Sequence, residues 1–399
     1  MDQLDAVVAI ACLCWLFRTA IVLIFAWKQK QQYRPTNFLG QTILENPNHR
    51  SVSILIPAYN EERTIARCML SCIACHDVNK EIIVIDDGST DSTSHKAKAI
   101  QALHPECRIR VIRFETNKGK TAALNHGLQQ AFSDFIVTLD SDTTFTHGHS
   151  LHTLITPLIH QEWLSGATAN LHLSHPHEAL GMVQRIEYTK VLNSSKRAQS
   201  LLQSILILPG AMSAFRKDAL VSIGGFSART LAEDADATME LLSRGHQLVF
   251  QSDCIGITEG PHSLKDLVGQ RLRWRIGQMQ CLFRHPQLLW ISPAKALFYI
   301  DMAITNTISA LTPCITFLIF NRDLSKSWMP LMLMTVGCIA ADLVCTAFAF
   351  RLDGQTMPTL KAYVLYFSFF ALFSPIITWA AISHLVLDRT MTWHTSARY

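Results

Sequence analysis

The sequence predicts an α/β domain carried by transmembrane α-helices. Three observations predict it: apolar residues gather at the two ends of the chain, short β-branched runs alternate with helical stretches between them, and acidic or glycine-bearing turns follow those runs. Of the 399 residues, 49% are apolar and only 17% charged, whereas soluble domains carry about 25% charged residues. A chain of this length buries a sizeable core without disulfide staples. The net charge of +4, with Lys and Arg dispersed, does not read as a nucleic-acid footprint, so charge alone does not indicate a polyanion partner.

The first apolar stretch, residues 6–27, is interrupted by Arg18 and Thr19, and about 20 such residues span a bilayer core as helix. Asp2 and Asp5 lie upstream and no small-residue cleavage site follows, so the stretch reads as an uncleaved anchor rather than a signal peptide. Three more stretches cover residues 297–320, 328–350 and 363–387. Lys28, Lys30 and Arg34 follow the first stretch; Arg271, Arg273, Arg275, Arg284 and Lys295 precede the second. The positive-inside tendency then places the middle of the chain in the cytoplasm, under a multi-pass inner (plasma) membrane protein. An even number of spans would leave the C-terminus outside, while Arg389 and Arg398 favour the inside, so that parity stays open. The expected parts are an anchor over 1–30, a domain over 50–262, an amphipathic interface region over 263–292 and three spans within 297–387. Arg18, Asp301 and Asp342 fall within apolar stretches, where a charge costs several kcal/mol unless paired. Arg18 is expected to pair with Asp301 or Asp342, or all three to line a polar path.

In the middle, 51–56, 81–85, 108–113 and 135–139 read as strands, and 61–73, 92–103 and 120–132 as helices between them. That rhythm is a parallel sheet covered on both faces, and its ligands bind beyond the carboxyl ends of the strands. Pro57-Ala58-Tyr59-Asn60-Glu61-Glu62 follows the first run and Asp86-Asp87-Gly88-Ser89-Thr90-Asp91 the second. An Asp pair before Gly and Ser can be a simple turn and helix cap, or a carboxylate that receives a base or ribose. Asn117-Lys118-Gly119-Lys120 sits at a helix start and suits a phosphate, although the spacing of a Walker loop is absent. Asp140-Ser141-Asp142 closes the fourth run. In extended chain the two acids share a side, and paired hard oxygens suit Mg²⁺ or Mn²⁺ with substrate phosphates.

Farther on, Glu233-Asp234-Ala235-Asp236 opens a helical stretch. Helix-dipole complementation accounts for one or two of these acids; three leave room for a general base. Gln270, Arg273 and Trp274 share one face of a helix, with an amide, a guanidinium and an indole suited to a phosphate and a sugar; a plain basic juxtamembrane helix is the bland alternative. Cys68, Cys72 and Cys75 mimic an iron–sulfur spacing, but they fall on one helical face and read better as small buried hydrophobes. His147, His149, His152, His172, His175 and His177 show no defensible ligand spacing. A cytoplasmic domain also sets aside the Asn193-Ser194-Ser195 sequon.

Taken in order, this set resembles the membrane-embedded family 2 glycosyltransferases, and most of all the poly-β-1,6-N-acetylglucosamine synthases. The resemblance rests on Pro57-Ala58-Tyr59-Asn60-Glu61, Asp86-Asp87-Gly88-Ser89, Lys118-Gly119-Lys120, Asp140/Asp142, Gly210 with Ala214-Phe215-Arg216, Glu233-Asp234 and Gln270-x-x-Arg273-Trp274. It implies a GT-A (Rossmann-like) fold and an inverting transfer. Pro57, Tyr59, Glu61, Asp86, Asp87, Lys118, Lys120 and Asp140 would bind the nucleotide sugar, with UDP-GlcNAc the best candidate. Asp142 with Asp140 would hold Mg²⁺ or Mn²⁺. Asp234 beside Glu233 would deprotonate the acceptor hydroxyl, and Gln270, Arg273 and Trp274 would close over the diphosphate and the acceptor sugar. A polysaccharide or lipid-linked acceptor, membrane lipids and a small membrane or export subunit are the implied partners, with no nucleic acid. Ala232 stands where many relatives carry Thr, and one N-terminal stretch stands where some polymer synthases have two. A single-addition transferase on a polyprenyl-linked acceptor and a non-catalytic membrane scaffold remain as other readings.

Overall fold

The computed structural model describes residues 3–32, 51–76, 78–175, 177–320 and 328–387. Arg34, Arg389 and Arg398, on which part of the orientation argument leans, lie outside them.

The N-terminal half of the domain follows the expected rhythm: β1 (Ser51–Ala58), α2 (Ile65–Ala74), β2 (Asn79–Asp86), α3 (Thr93–Leu103), β3 (Arg108–Arg113), α4 (Lys120–Gln130) and β4 (Phe135–Leu139), preceded by α1 (Gln3–Gln32). β1 pairs in parallel with β2 on one side and β4 on the other, and β3 pairs in parallel with β2. From Val52 to Ala58 every residue of β1 is buried, as a strand covered on both faces requires. Pro57 therefore belongs to the strand rather than to the turn after it. α2 begins at Ile65 and not at Glu61, because Asn60 adopts φ +55° and the Glu61 N–H donates to Thr93 Oγ1 at 2.7 Å, holding 60–64 in a turn.

The C-terminal half departs from a purely parallel sheet. It comprises β5 (Thr144–Phe145), α5 (Ser150–His160), β6 (Leu164–Leu173), α6 (Ala179–Lys190), a π-helical turn (Val191–Lys196), α7 (Arg197–Leu201), β7 (Met212–Arg216), α8 (Lys217–Ser222), α9 (Glu233–Ser243) and β8 (Gln247–Thr258). The sheet has eight strands in the order β3-β2-β1-β4-β7-β6-β8-β5. β7 runs antiparallel to both β4 and β6, while β6 and β8 are parallel. A mixed sheet thus replaces the expected parallel one, since β7 enters between β4 and β6 in the reverse direction. Hydropathy conceals β6 because its interior carries polar residues that find partners: Thr168 accepts from Ser213 Oγ at 3.0 Å and the Asn170 amide donates to Asp353 at 2.6 Å.

Beyond the sheet lie α10 (Leu264–Arg284), α11 (Leu288–Ile291), α12 (Pro293–Phe320), α13 (Trp328–Asp353) and α14 (Leu360–Val386). α10 starts where Ser263 accepts the Asp266 N–H at 3.1 Å, an N-cap that satisfies an otherwise orphaned donor. Among the described residues, Cys12–Gln32, Thr335–Asp353 and Leu360–Val386 are helices long and apolar enough to cross a bilayer, which marks the chain as a membrane protein. The expected stretch 297–320 forms part of α12, whose side chains beyond Cys314 are outside the described set. Arg18 pairs with Asp301 of α12 through two nitrogens. Asp342 instead takes Lys190 of α6 and accepts from the Tyr363 hydroxyl at 3.1 Å. The bundle is also fastened to the domain, since α1 packs on α7 and α13, and α14 packs on α6 and α10.

Candidate functional site

The sheet turns back on itself at β1: the chain passes outward to β2 and β3, then returns to β4 on the other side. A crevice beyond the carboxyl ends of the strands at such a reversal is where α/β sheets bind ligands.

Along the β1–β2 edge, Gly88 has φ +74°, and a Cβ there would lie 2.8 Å from the Asn117 nitrogen. Its absence lets the loop 117–119 close over Asp87, whose carboxylate accepts from the Lys118 N–H at 2.7 Å and the Gly119 N–H at 2.8 Å. Burial raises the pKa of Asp87 above the usual carboxylate value, against the opposing pull of those two N–H groups. Asp86 is fully buried; it accepts from the Ser89 N–H at 2.9 Å and faces Arg113 Nε at 3.4 Å, so it braces the turn beneath its neighbour. Glu61 is buried and accepts from Thr64 Oγ1 at 2.8 Å. Tyr59 is half-buried and Lys118 exposed, the latter with its ammonium 4.9 Å from the centre of the Phe114 ring.

Next to this edge lies a cavity of about 300 Å³. Eight of the expected residues line it, drawn from four separate parts of the chain: Lys120, Asp140, Asp142, Glu233, Asp234, Gln270, Arg273 and Trp274. The other six, Pro57, Tyr59, Glu61, Asp86, Asp87 and Lys118, are not in its wall and belong to the neighbouring edge.

Lys120 ties the two halves together, with Nζ 2.5 Å from Asp140 and 3.4 Å from Glu233. Burial works to lower its pKa, but Asp140, Glu233 and Asp234 outweigh burial and the net shift is upward, so the ammonium stays charged. Glu233 moves the other way from a normal carboxylate: burial raises its pKa, Lys120 opposes, and Asp234 and Asp140 add to the rise. Asp142 is buried and accepts from Thr143 Oγ1 at 2.9 Å. Below it, Cys68 of α2 packs with Sγ 3.6 Å from the Asp140 carbonyl. Cys68, Cys72 and Cys75 are all buried free thiols.

Asp234 stands in the first turn of α9, where a negative charge complements the helix dipole. One oxygen accepts from the Ala235 N–H at 2.7 Å and the other from the Gly210 N–H at 2.8 Å, so both are oriented by backbone. α10 reaches this turn because Gly277 has no side chain: a Cβ on it would lie 2.5 Å from the Ala232 Cβ. Ala232 is thus one half of a small-residue contact. Trp274 packs with two neighbours, the Arg271 guanidinium 4.3 Å from its ring centre and the Tyr188 ring centre 6.4 Å away at a tilt. Arg271 is in turn held by Glu187.

Motif reasoning missed the wall supplied by α6 and the π-helical turn: Glu187, Tyr188 and Lys196 all line the cavity. No spacing flags them: Glu187 and Tyr188 come from α6 and Lys196 from the π-helical turn, and only the fold brings them to the site. The same turn holds the sequon Asn193, which is fully buried with its amide donating to Asn170 at 3.2 Å.

Two carboxylates at the end of a central strand, a lysine joining one of them to an acidic helix start, and an aromatic-basic helix across the gap form one candidate site on a GT-A-like sheet. Residues 53–224 match the sequence model of Glycosyl transferase family 2. The chain is 30% identical over 233 residues to the poly-β-1,6-N-acetyl-D-glucosamine synthase of Staphylococcus aureus (strain COL), covering 58% of this chain and 56% of the relative. It is 26% identical over 314 residues to the synthase of the same name from Staphylococcus epidermidis, covering 79% and 70%. The chain therefore spans little more than half the length of the first of these relatives. In fold it is similar to the mannosyltransferase of Pyrobaculum calidifontis solved with GDP-Man and Mn²⁺, with a TM-score of 0.59, 17% identity and coverage of 97% of this chain and 100% of that one.

Proposed function

We propose that the protein is an inverting hexosyltransferase that moves N-acetylglucosamine from UDP-GlcNAc to a growing polysaccharide at the cytoplasmic face of a multi-pass membrane domain. The observation that carries this reading is the placement of Asp234. Its carboxylate is held by the Gly210 and Ala235 N–H groups in the same cavity as Asp140 and Asp142. A hydroxyl entering from the side of Trp274 would meet this base, whose backbone donors leave lone pairs free to accept a proton.

The donor set fits a divalent cation. Among the described residues no group of three or more His, Cys, Asp or Glu converges to hold a metal, and Mg²⁺ characteristically takes one or two carboxylates with substrate phosphates and water. Asp142 and Asp140 would hold it. When bound, such an ion neutralises the charge of the departing diphosphate. The chain's own residues do the rest. Asp87 fixes the lysine loop on the nucleotide side, Lys120 keeps Asp140 and the α9 start at one distance, Arg273 offers a fork to the diphosphate, and Trp274 offers a face to the acceptor ring.

The test is a donor panel with the full chain reconstituted in lipid, reading nucleotide release and product mass together. Release of UDP from UDP-GlcNAc with a ladder of products supports a processive synthase. One added sugar on a polyprenyl-linked acceptor supports the single-addition alternative, and turnover of no donor overturns the reading.

A further inference from the structure

Lys196 is a charged cavity residue to which the proposed chemistry gives no task. It is buried, at 6% exposure, and ends the π-helical turn that interrupts the helical run from α6 into α7. Such turns occur disproportionately at functional sites, and a buried ammonium is costly unless it is used.

Its ammonium donates to the Ile207 carbonyl. The N–H of that same peptide, on Leu208, donates to Thr238 Oγ1 at 3.0 Å, and the Thr238 hydroxyl donates onward to the Asp234 carbonyl at 2.6 Å. Two residues beyond, the Gly210 N–H holds Asp234 Oδ2 at 2.8 Å. One peptide plane is thus gripped at both ends, and the segment it begins carries the donor that aims the proposed base. Hydrogen bonds in such chains polarise and strengthen one another, and a charged donor is roughly twice as strong as a neutral one.

Resting on the transferase reading above, we propose that Lys196 is a positioning residue for acceptor activation: its ammonium holds the Ile207–Leu208 peptide, which Thr238 ties to the Asp234 backbone, so that Gly210 keeps the Asp234 carboxylate aimed at the acceptor hydroxyl. Burial lowers the pKa of this lysine to about 7, with Asp234 opposing. Of the charged groups on the elements around it, Asp234 of α9 exerts that pull. Lys190 on α6 is committed to Asp342 of α13, and Arg197 on α7 to Asn193 and to Gln29 of α1. The group is charged below about pH 7 and neutral above it, so the arrangement weakens as pH rises.

The experiment measures turnover from UDP-GlcNAc between pH 6 and 9 for the wild type, Lys196→Gln and Lys196→Arg, with UDP binding as the check of folding and donor-site integrity. Wild-type kcat should fall as pH rises through about 7, with little change in donor KM. The Gln variant, which donates without titrating, should bind UDP normally, lose kcat about tenfold at pH 6 and show no fall. The Arg variant should retain kcat at pH 8.5 better than the wild type. A wild-type profile flat across this range, or a Gln variant with the wild type's profile and rate, overturns the inference while leaving the transferase intact. A wild type that turns over no donor overturns both.

Discussion

The two sides of the site are built differently. On the proposed donor side, Asp87, Lys118, Gly119, Asp140 and Asp142 all lie within a few residues of a strand end, and Asp87 grips the neighbouring loop through the Lys118 and Gly119 N–H groups. On the proposed acceptor side, Glu187, Tyr188, Lys196, Asp234 and Trp274 come from α6, the π-helical turn, α9 and α10, and contacts between distant segments join them: Glu187 to Arg271, Tyr188 to Trp274 and Asp234 to Gly210. One side is a property of loops on a sheet edge; the other is a property of how helices pack. Damage to the first should therefore appear in donor binding, and damage to the second in turnover.

The largest effect that would break this division is at Asp234. Asp234→Asn keeps the shape and the Gly210 contact but removes the base, and transfer should fall about 10²–10⁴-fold while UDP affinity stays within a factor of about two. Full activity in this variant would remove the base from Asp234. Next comes Gly277→Val, which forces α10 away from Ala232 and costs about 1–3 kcal/mol as an overpacked contact. It should lower kcat more than it raises donor KM, and a pure KM effect would erase the boundary between the two sides. Asp87→Ala should do the reverse, releasing the lysine loop and raising donor KM about tenfold with a smaller change in kcat. The smallest effect belongs to Arg67→Ala. Its pair with Glu259 joins α2 to the residue after β8 at 2.5 Å, but the arginine side chain is half exposed, and such pairs are worth about 0–1 kcal/mol. Thermal unfolding in lipid should hardly move, and a large loss would show that the two halves are coupled through that contact.

The same division explains what the sequence revealed. β1 through β4 were legible because their β-branched runs are bounded by turn residues, and Asp140 and Asp142 stood out as a candidate pair because they close a strand after three earlier motifs at the same sheet edge. Gln270, Arg273 and Trp274 were legible as one face of a helix. β6 escaped notice since Thr168 and Asn170 are polar yet buried, with partners on β7 and α13 that no local window contains. Lys196 escaped for a related reason: in sequence it is one more lysine in a polar stretch, and it gains meaning from the Ile207 carbonyl it reaches. Asp86 illustrates the opposite limit. Adjacent to Asp87 and indistinguishable from it by motif, it lies beneath the surface bracing Ser89 and Arg113.

A single turn of α6 carries Glu187, which fixes Arg271 behind the Trp274 ring, and Lys190, which grips Asp342 of α13. The proposed acceptor wall and the apolar helix α13 therefore share a lever. Solubilisation that relaxes lateral pressure on α13 would loosen Trp274 through this helix without disturbing Asp87 or Asp140. A detergent preparation that takes up nucleotide fully yet transfers sugar slowly would carry the signature of a slackened bundle rather than of a spoiled enzyme, and returning it to lipid is the remedy that follows.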